Sequence, residues 1–300
     1  MYGSQVALGR LESEKARQKS KFSTETELRI ALVGKTGVGK SATANTLCGE
    51  NFFESGLELT GMTQICRQKK ALIFGREVLI IDTPGIFDTE IDATVVENEI
   101  QRCVHLGAPG LHAVIFVMEI GRFRKEDTDA IRAFLRFFES KMKDRVVVLF
   151  THVDRLQKEG RSLANFLQNA PGFLNTFLDQ CQNRVIPFNN EFKKEESYEQ
   201  INGLLTMVEA LKKSNELAYY SDVLFKKAEE RIQARERELE EIFKREFNDR
   251  IIQIEHSIKI QLENRIQQEQ IEKLRRLYER KIANVREEVR KEISDKKSKW

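Results

Sequence analysis

Leu28-Arg29-Ile30-Ala31-Leu32-Val33-Gly34-Lys35-Thr36-Gly37-Val38-Gly39-Lys40-Ser41 is the stretch whose reading decides the fold. A short apolar run ends in a glycine, and the pattern GxxxxGK[ST] follows before a helical stretch begins at ATANTL. In a strand–loop–helix setting that spacing reads as a phosphate-binding loop. Glycines let successive backbone N–H groups turn onto phosphate oxygens, and the positive end of the next helix adds to the attraction. Gly34, Lys35, Thr36, Gly37, Val38, Gly39 and Ala42 then form the cradle. Lys40 bridges the β- and γ-phosphates, and the Ser41 hydroxyl ligates Mg²⁺.

Working outward, further Val/Ile/Leu-rich runs recur at VLIIDT (78–83), HAVIFVME (112–119), RVVVLFT (145–151) and RVIPF (184–188). Continuous apolar runs of this length suit strands covered on both faces, hence a mostly parallel sheet. KALIF (70–74) and EVLII (77–81), split by Gly75-Arg76, predict an antiparallel hairpin at one edge. Helices are expected near 40–48, 93–106, 126–142, 162–181 and 198–213. This alternation is a three-layer α/β domain over residues 28–214, after a flexible lead-in at 1–27.

From Leu204 to Trp300 there is neither glycine nor proline, and residues 221–300 hold 21 Lys or Arg against 18 Asp or Glu. Apolar residues there fall at steps of three and four, as in Leu239, Phe243, Phe247, Ile251 and Ile254, then Leu274, Tyr278, Ile282, Val285 and Val289. Residues 215–300 are therefore an amphipathic helical or coiled-coil extension. Its stripe needs a partner, so the segment folds back, pairs with another chain or frays. One form of folding back would lay the stripe on the nucleotide-responsive face until nucleotide binding releases it. The interspersed acids disfavour a basic membrane helix.

A formal charge of +3 in 300 residues leaves no nucleic-acid footprint. Cys48, Cys66, Cys103 and Cys181 lack CxxC or metal-ligand spacing, which implies reduced thiols in a cytosolic protein. No run reaches the roughly 18 apolar residues that span a bilayer, so any association with organelle surfaces is peripheral.

Two further motifs follow the phosphate loop. Asp82-Thr83-Pro84-Gly85 ends a buried strand, where Asp82 can hold magnesium and the Gly85 N–H can reach the γ-phosphate. Thr151-His152-Val153-Asp154 follows the next apolar strand, where GTPases carry NKxD. Asp154 there would accept hydrogen bonds from guanine N1 and N2, which adenine cannot supply. Thr151 replaces the usual Asn, and the His152 ring could stack on the base. Asn189 and Asn190, after the last strand, occupy the final base-contacting loop, with Asn190 favoured.

Together these motifs resemble the GTPases of immunity-associated proteins, the AIG-type G-domain family. The resemblance spans roughly residues 28–290. It rests on LVGKTGVGKSATANTL, GMTQIC, IIDTPGIFDT and AYYSDVLFKKAEERIQARERELEEI (218–242), and above all on the box LGAPGLHAVIFVMEIGRFRKED (106–127). It implies a septin-like GTPase fold, GTP-dependent pairing with itself or a related GTPase across the nucleotide face, and roles in lymphocyte survival. It also makes Thr63 the loop threonine that closes on Mg²⁺ and the γ-phosphate. Arg122 matches a box arginine that some relatives insert across the dimer onto the phosphates. Many GTPases place a water-orienting glutamine after DTPG, but here the residue is Ile86, which predicts slow turnover by a monomer. Three readings stand: a GTP switch with dimer-assisted hydrolysis, a GTP-stabilised scaffold that barely hydrolyses, and an ATP-using enzyme, against which Asp154 argues.

Overall fold

Burial sorts the apolar runs into strands. In the computed structural model, which describes residues 27–55, 65–85, 92–138, 140–191, 196–213, 218–259 and 264–295, they form one six-stranded sheet. β1 (Leu28–Val33), β4 (Ala113–Glu119) and β5 (Val146–Thr151) are buried throughout except at Glu119. β2 (Arg67–Ile73), β3 (Arg76–Asp82) and β6 (Val185–Pro187) complete the order β2-β3-β1-β4-β5-β6. Only β2 runs antiparallel to its neighbour, as the edge-hairpin expectation required. The turn itself is Phe74-Gly75, with φ of 49° and 76°, and Arg76 already lies opposite Ile73. Two successive left-handed residues give a turn whose twist matches the strands it joins.

Successive strand residues point to opposite faces, and helices cover both. On one face Ile30, Ile80, Ile115 and Val147 pack with Leu47 of α1 (Lys40–Cys48) and with Ile201, Leu204 and Val208 of helix Tyr198–Lys213. On the other, Phe116 meets Phe134 edge-on at 5.3 Å and Phe177 at 5.2 Å. Those two rings come from helices Lys125–Phe137 and Gly172–Gln180. Numbered in chain order, the helices of this unit are α1, α2 (Ala93–Gly107), α3 (Lys125–Phe137), α4 (Asp154–Lys158), α5 (Leu163–Leu167), α6 (Gly172–Gln180) and α7 (Tyr198–Lys213). The architecture is the three-layer α/β domain read from the sequence.

One expected helix is two. The stretch 162–181 breaks at Ala170-Pro171, with Pro171 opening α6, because proline cannot donate inside a helix and pushes its predecessor out of the helical region. The sheet unit also reaches further than the glycine–proline break suggested, running from Glu27 to Ala228. Tyr220 pairs with Leu111 in an antiparallel bridge, and Phe225 and Ala228 are buried. A charged, helix-like stretch hides such anchors because its few apolar residues look like any amphipathic stripe.

The second unit contains Glu229 onward, in α8 (Val223–Lys259) and α9 (Asn264–Asp295). The two helices pack antiparallel. Arg286 binds Glu229 at 2.7 Å, Lys281 lies over the Phe243 ring at 5.4 Å, and Phe247 meets Tyr278 at 5.5 Å. Of the outcomes open for this segment, folding back on itself is the one observed. Among the described residues no helix is long and apolar enough to cross a membrane.

Candidate nucleotide-binding site

Parallel strands end on one edge of the sheet, and β1 is flanked there by β3 on one side and β4 on the other, where the strand order reverses. Such a switch point is where open α/β sheets bind ligands. The three motifs follow the carboxyl ends of β1, β3 and β5.

Gly34 leaves β1 with φ of 145°, a conformation side chains rarely adopt, and a Cβ there would collide with the Val117 carbonyl. Gly39 opens α1 with φ of 93°, and a Cβ there would lie 3.3 Å from Asn190 Nδ2 and from Thr151 Cγ2. Both positions need glycine, so the loop is held tight against β4 and β5. Lys40 is 6% exposed, and its Nζ donates to the Lys35 carbonyl at 2.7 Å. The charge is thereby held within the loop it is meant to serve. Thr36 and Gly37 form the exposed tip, and Ala42 lies half-buried in α1.

Ser41 Oγ donates to Asp82 Oδ2 at 2.6 Å. Asp82 is 1% exposed, and the following Thr83 hydroxyl donates to the Leu32 carbonyl at 2.8 Å, locking β3 to β1. A hydroxyl and a carboxylate placed together beside a phosphate loop are the hard oxygen donors that Mg²⁺ prefers, so the pair fits that ion. Gly85 is buried just beyond. Thr63 and Ile86 lie outside the described residues.

Thr151 is fully buried, and its hydroxyl donates to the Val38 carbonyl at 2.8 Å, with the Met118 carbonyl at 3.2 Å. Its polar atom therefore ties the phosphate loop to β5 and β4. His152 has φ of 58° and is half-buried, a left-handed conformation uncommon for a residue with a side chain. Asp154 opens α4 and accepts from Lys158 Nζ at 3.0 Å through Oδ2. That hydrogen bond holds the Asp154 carboxyl below its usual range, so it is ionised at neutral pH. Its Oδ1 is buried and accepts no hydrogen bond from another described residue. An oxygen in that condition calls for a donor.

The two asparagines part company. Asn189 is 3% exposed and its Oδ1 accepts the Glu191 N–H at 2.9 Å, so its side chain closes its own turn. Asn190 faces α1: its Oδ1 accepts from Thr46 Oγ1 at 3.0 Å and its Nδ2 donates to Thr43 Oγ1 at 3.3 Å. Arg122 sits exposed between β4 and α3, with no hydrogen bond or ion pair among the described residues.

Three side chains not assigned a nucleotide contact also shape the site. Asn45 of α1 accepts the Phe52 and Phe53 N–H groups at 3.0 and 2.8 Å and donates to the Phe53 carbonyl at 2.7 Å, pinning the segment that leads toward Thr63. Asp127 pairs with Lys35 of the phosphate loop at 2.7 Å. Arg155 donates to the Ile120 carbonyl at 3.1 Å. Spacing offered no signal for these, beyond the capping value of an aspartate three residues into α3.

Immune-associated nucleotide-binding protein 9 of Arabidopsis thaliana is 34% identical over 211 residues, covering 69% of this chain and 62% of that protein. The chain thus spans about three-fifths of the length of the curated relatives it first matches. Among solved structures, a dimerization-deficient mutant of Toc33 from Arabidopsis thaliana has TM-score 0.53 at 17% identity, covering 71% of this chain and 96% of that one. Toc33 in complex with GDP and Mg²⁺ has TM-score 0.50 at 18% identity, covering 72% and 96%. At that identity the likeness is one of fold, and the fold is that of the P-loop GTPases. The profile of the AIG1 family matches residues 28–240, and the chain belongs to that family.

Proposed function

We propose that this protein binds GTP and GDP with Mg²⁺ at Gly34–Ser41, and that it is a switch that dimerises with GTP and hydrolyses it with help from the partner copy. The observation that carries the reading is the convergence of three strand ends. One brings the Lys40 ammonium, one the Ser41–Asp82 pair, and one the Asp154 carboxylate with an oxygen awaiting a donor. Guanine N1–H and N2–H₂ are the donors that suit such an oxygen, whereas adenine offers none there. Backbone amides and Lys40 grip the phosphates, and Ser41 and Asp82 would hold the cation, which would supply charge neutralisation to the phosphate oxygens. The family membership and the GDP–Mg²⁺ complex of Toc33 support this assignment.

Hydrolysis needs a water oriented at the γ-phosphate and charge supplied as the bond breaks. Ile86, which follows the buried Gly85 in the chain, has no polar side-chain atom for that water. Arg122 supplies the missing charge to a partner's phosphates, an arrangement worth on the order of 10³–10⁵ in rate when an arginine is provided in trans. For the chloroplast translocon components atToc33 and psToc159, dimerization is important for GTPase activity, which supports the same reading here. Ile86 also favours one other reading, a scaffold that assembles with GTP and scarcely cleaves it.

Phosphate release per molecule, measured over a wide range of protein concentration, separates the two. A switch gives a rate that climbs with concentration and loses the climb in Arg122→Ala. A flat, near-zero rate leaves the scaffold.

A further inference from the structure

Arg122 stands at the crest of an arch, residues 120–124, whose two feet are tied to different parts of the nucleotide site. The first foot is Ile120, buried, with its N–H donating to the Thr151 carbonyl at 3.0 Å and its own carbonyl accepting from Arg155 at 3.1 Å. The second foot is Arg124, held by Asp127. One oxygen of that carboxylate accepts the Arg124 N–H at 2.8 Å, closing the first turn of α3, and the other meets Lys35 Nζ at 2.7 Å. The Lys35 and Asp127 side chains are only 17% and 12% exposed. Between the feet, Gly121 has open space around it.

Lys35 therefore touches the site twice. Its carbonyl accepts from Lys40, the residue that grips the phosphates, and its ammonium holds the arch. We propose that Lys35 and Asp127 are positioning residues for Arg122: their ion pair clamps the arch to the phosphate loop, so the arginine is aimed only when that loop holds its closed shape. Neither side chain touches the reacting atoms. The chain of contacts runs from the Lys40 ammonium through the Lys35 backbone and side chain to Asp127, and from its second oxygen to the Arg124 N–H, two residues after Arg122.

A helix-capping aspartate alone would account for the Arg124 contact but not for a lysine of the phosphate loop held at 2.7 Å on the remaining oxygen. Nor does the phosphate loop require that lysine's side chain, since its cradle is built from backbone N–H groups. The pair is explained by what it joins.

This inference rests on the reading of Arg122 as a trans-acting group, and two readouts keep the two apart. Hydrogen exchange of the 120–124 amides in the GDP-bound protein reports on the arch directly, without hydrolysis. Concentration-stimulated turnover reports on the aim of Arg122. Asp127→Asn keeps an oxygen for the Arg124 N–H but removes the charge. It should speed exchange in the arch and lower the stimulated kcat by up to about a hundredfold, as expected for a group displaced by about an ångström, a larger loss than in the dilute-protein rate. Asp127→Glu should restore part of both. Lys35→Met combined with Asp127→Asn should be no worse than the poorer single variant, because the two residues share one interaction. Unchanged exchange in Asp127→Asn, or losses in the double variant equal to the product of the singles, would overturn the clamp. If Arg122→Ala leaves stimulation intact, the trans-arginine reading fails alone, and the exchange data still decide the clamp.

Discussion

Replacing Thr151 by valine removes one hydroxyl and almost no volume from the point where the phosphate loop meets the sheet. That hydroxyl carries a single proton, shared between the Val38 carbonyl at 2.8 Å and the Met118 carbonyl at 3.2 Å, at a residue with no exposed surface. Valine deprives the Val38 carbonyl of that hydroxyl at a residue closed to water. A neutral hydrogen bond contributes about 1 kcal/mol net and an unsatisfied buried carbonyl costs about 1–3 kcal/mol, so a loss of roughly 1–2 kcal/mol follows. In a unit of about two hundred residues this lowers Tm by roughly 2–8 °C. Val38 belongs to the loop proposed to close on phosphate, so on that reading part of the loss appears in binding, and a share of about 1 kcal/mol weakens GDP by about fivefold. Thermal unfolding with and without GDP, together with titration of a fluorescent GDP, reads both. Thr151→Ser, which keeps the hydroxyl, should retain most of the affinity. A valine variant with unchanged Tm and unchanged GDP affinity would refute the role assigned to Thr151 as the tie between loop and sheet.

Gly34→Ala should abolish nucleotide binding and destabilise the sheet unit, because the new Cβ collides with the Val117 carbonyl at a backbone φ of 145°. Wild-type GDP affinity in that variant, measured by calorimetry, would contradict the loop geometry. A pH effect follows from His112, whose Nδ1 accepts the Arg29 N–H at 2.9 Å. Burial first, and then the charge of Arg29, push its pKa down to about 2 from the 6.5 of an exposed histidine. Below that exposed value the unfolded chain takes up a proton that the folded chain refuses. This contribution is thus fully present above about pH 6.5 and is lost as pH falls toward 2, at about 1.4 kcal/mol per pH unit. Chemical denaturation should lose about 1.4 kcal/mol in all between about pH 7.5 and 5.5, because the full slope is reached only well below 6.5, and His112→Asn should remove about that loss.

Much of this molecule is legible in one dimension because its decisive features are local. A buried strand needs an unbroken apolar run, and a tight strand-to-helix loop needs glycines at fixed positions, so β1, β4, β5 and the course of the loop at Gly34–Ser41 could be read directly. Even the break at Pro171 was written in an Ala-Pro-Gly stretch that a helical periodicity masked. What stayed hidden depends on distant residues meeting. Thr151 reads as a base contact by analogy with the asparagine it replaces, yet its hydroxyl is spent on the Val38 carbonyl. Asn190 reads as a base contact by position, yet both of its side-chain polar atoms engage threonines of α1. Lys35 and Asp127 lie far apart in the chain, and nothing in either local pattern announces the other. Tyr220 and Phe225 anchor the sheet unit from within a charged stretch whose periodicity belongs equally to a free helix.

Guanine recognition by Asp154 is the claim on which the functional account turns, and competition binding tests it most directly. Fluorescent GDP bound to the protein should be displaced by GDP and scarcely by ATP even in about hundredfold excess, because a site built for a hydrogen-bonding group rejects an analogue lacking it by about 10⁴–10⁵. In Asp154→Asn the preference should pass to xanthosine diphosphate, whose ring carbonyl takes the place of the guanine amino donor and accepts from the new amide. Equal displacement by ATP and GDP, or an Asp154→Asn variant that still prefers guanine, would contradict it.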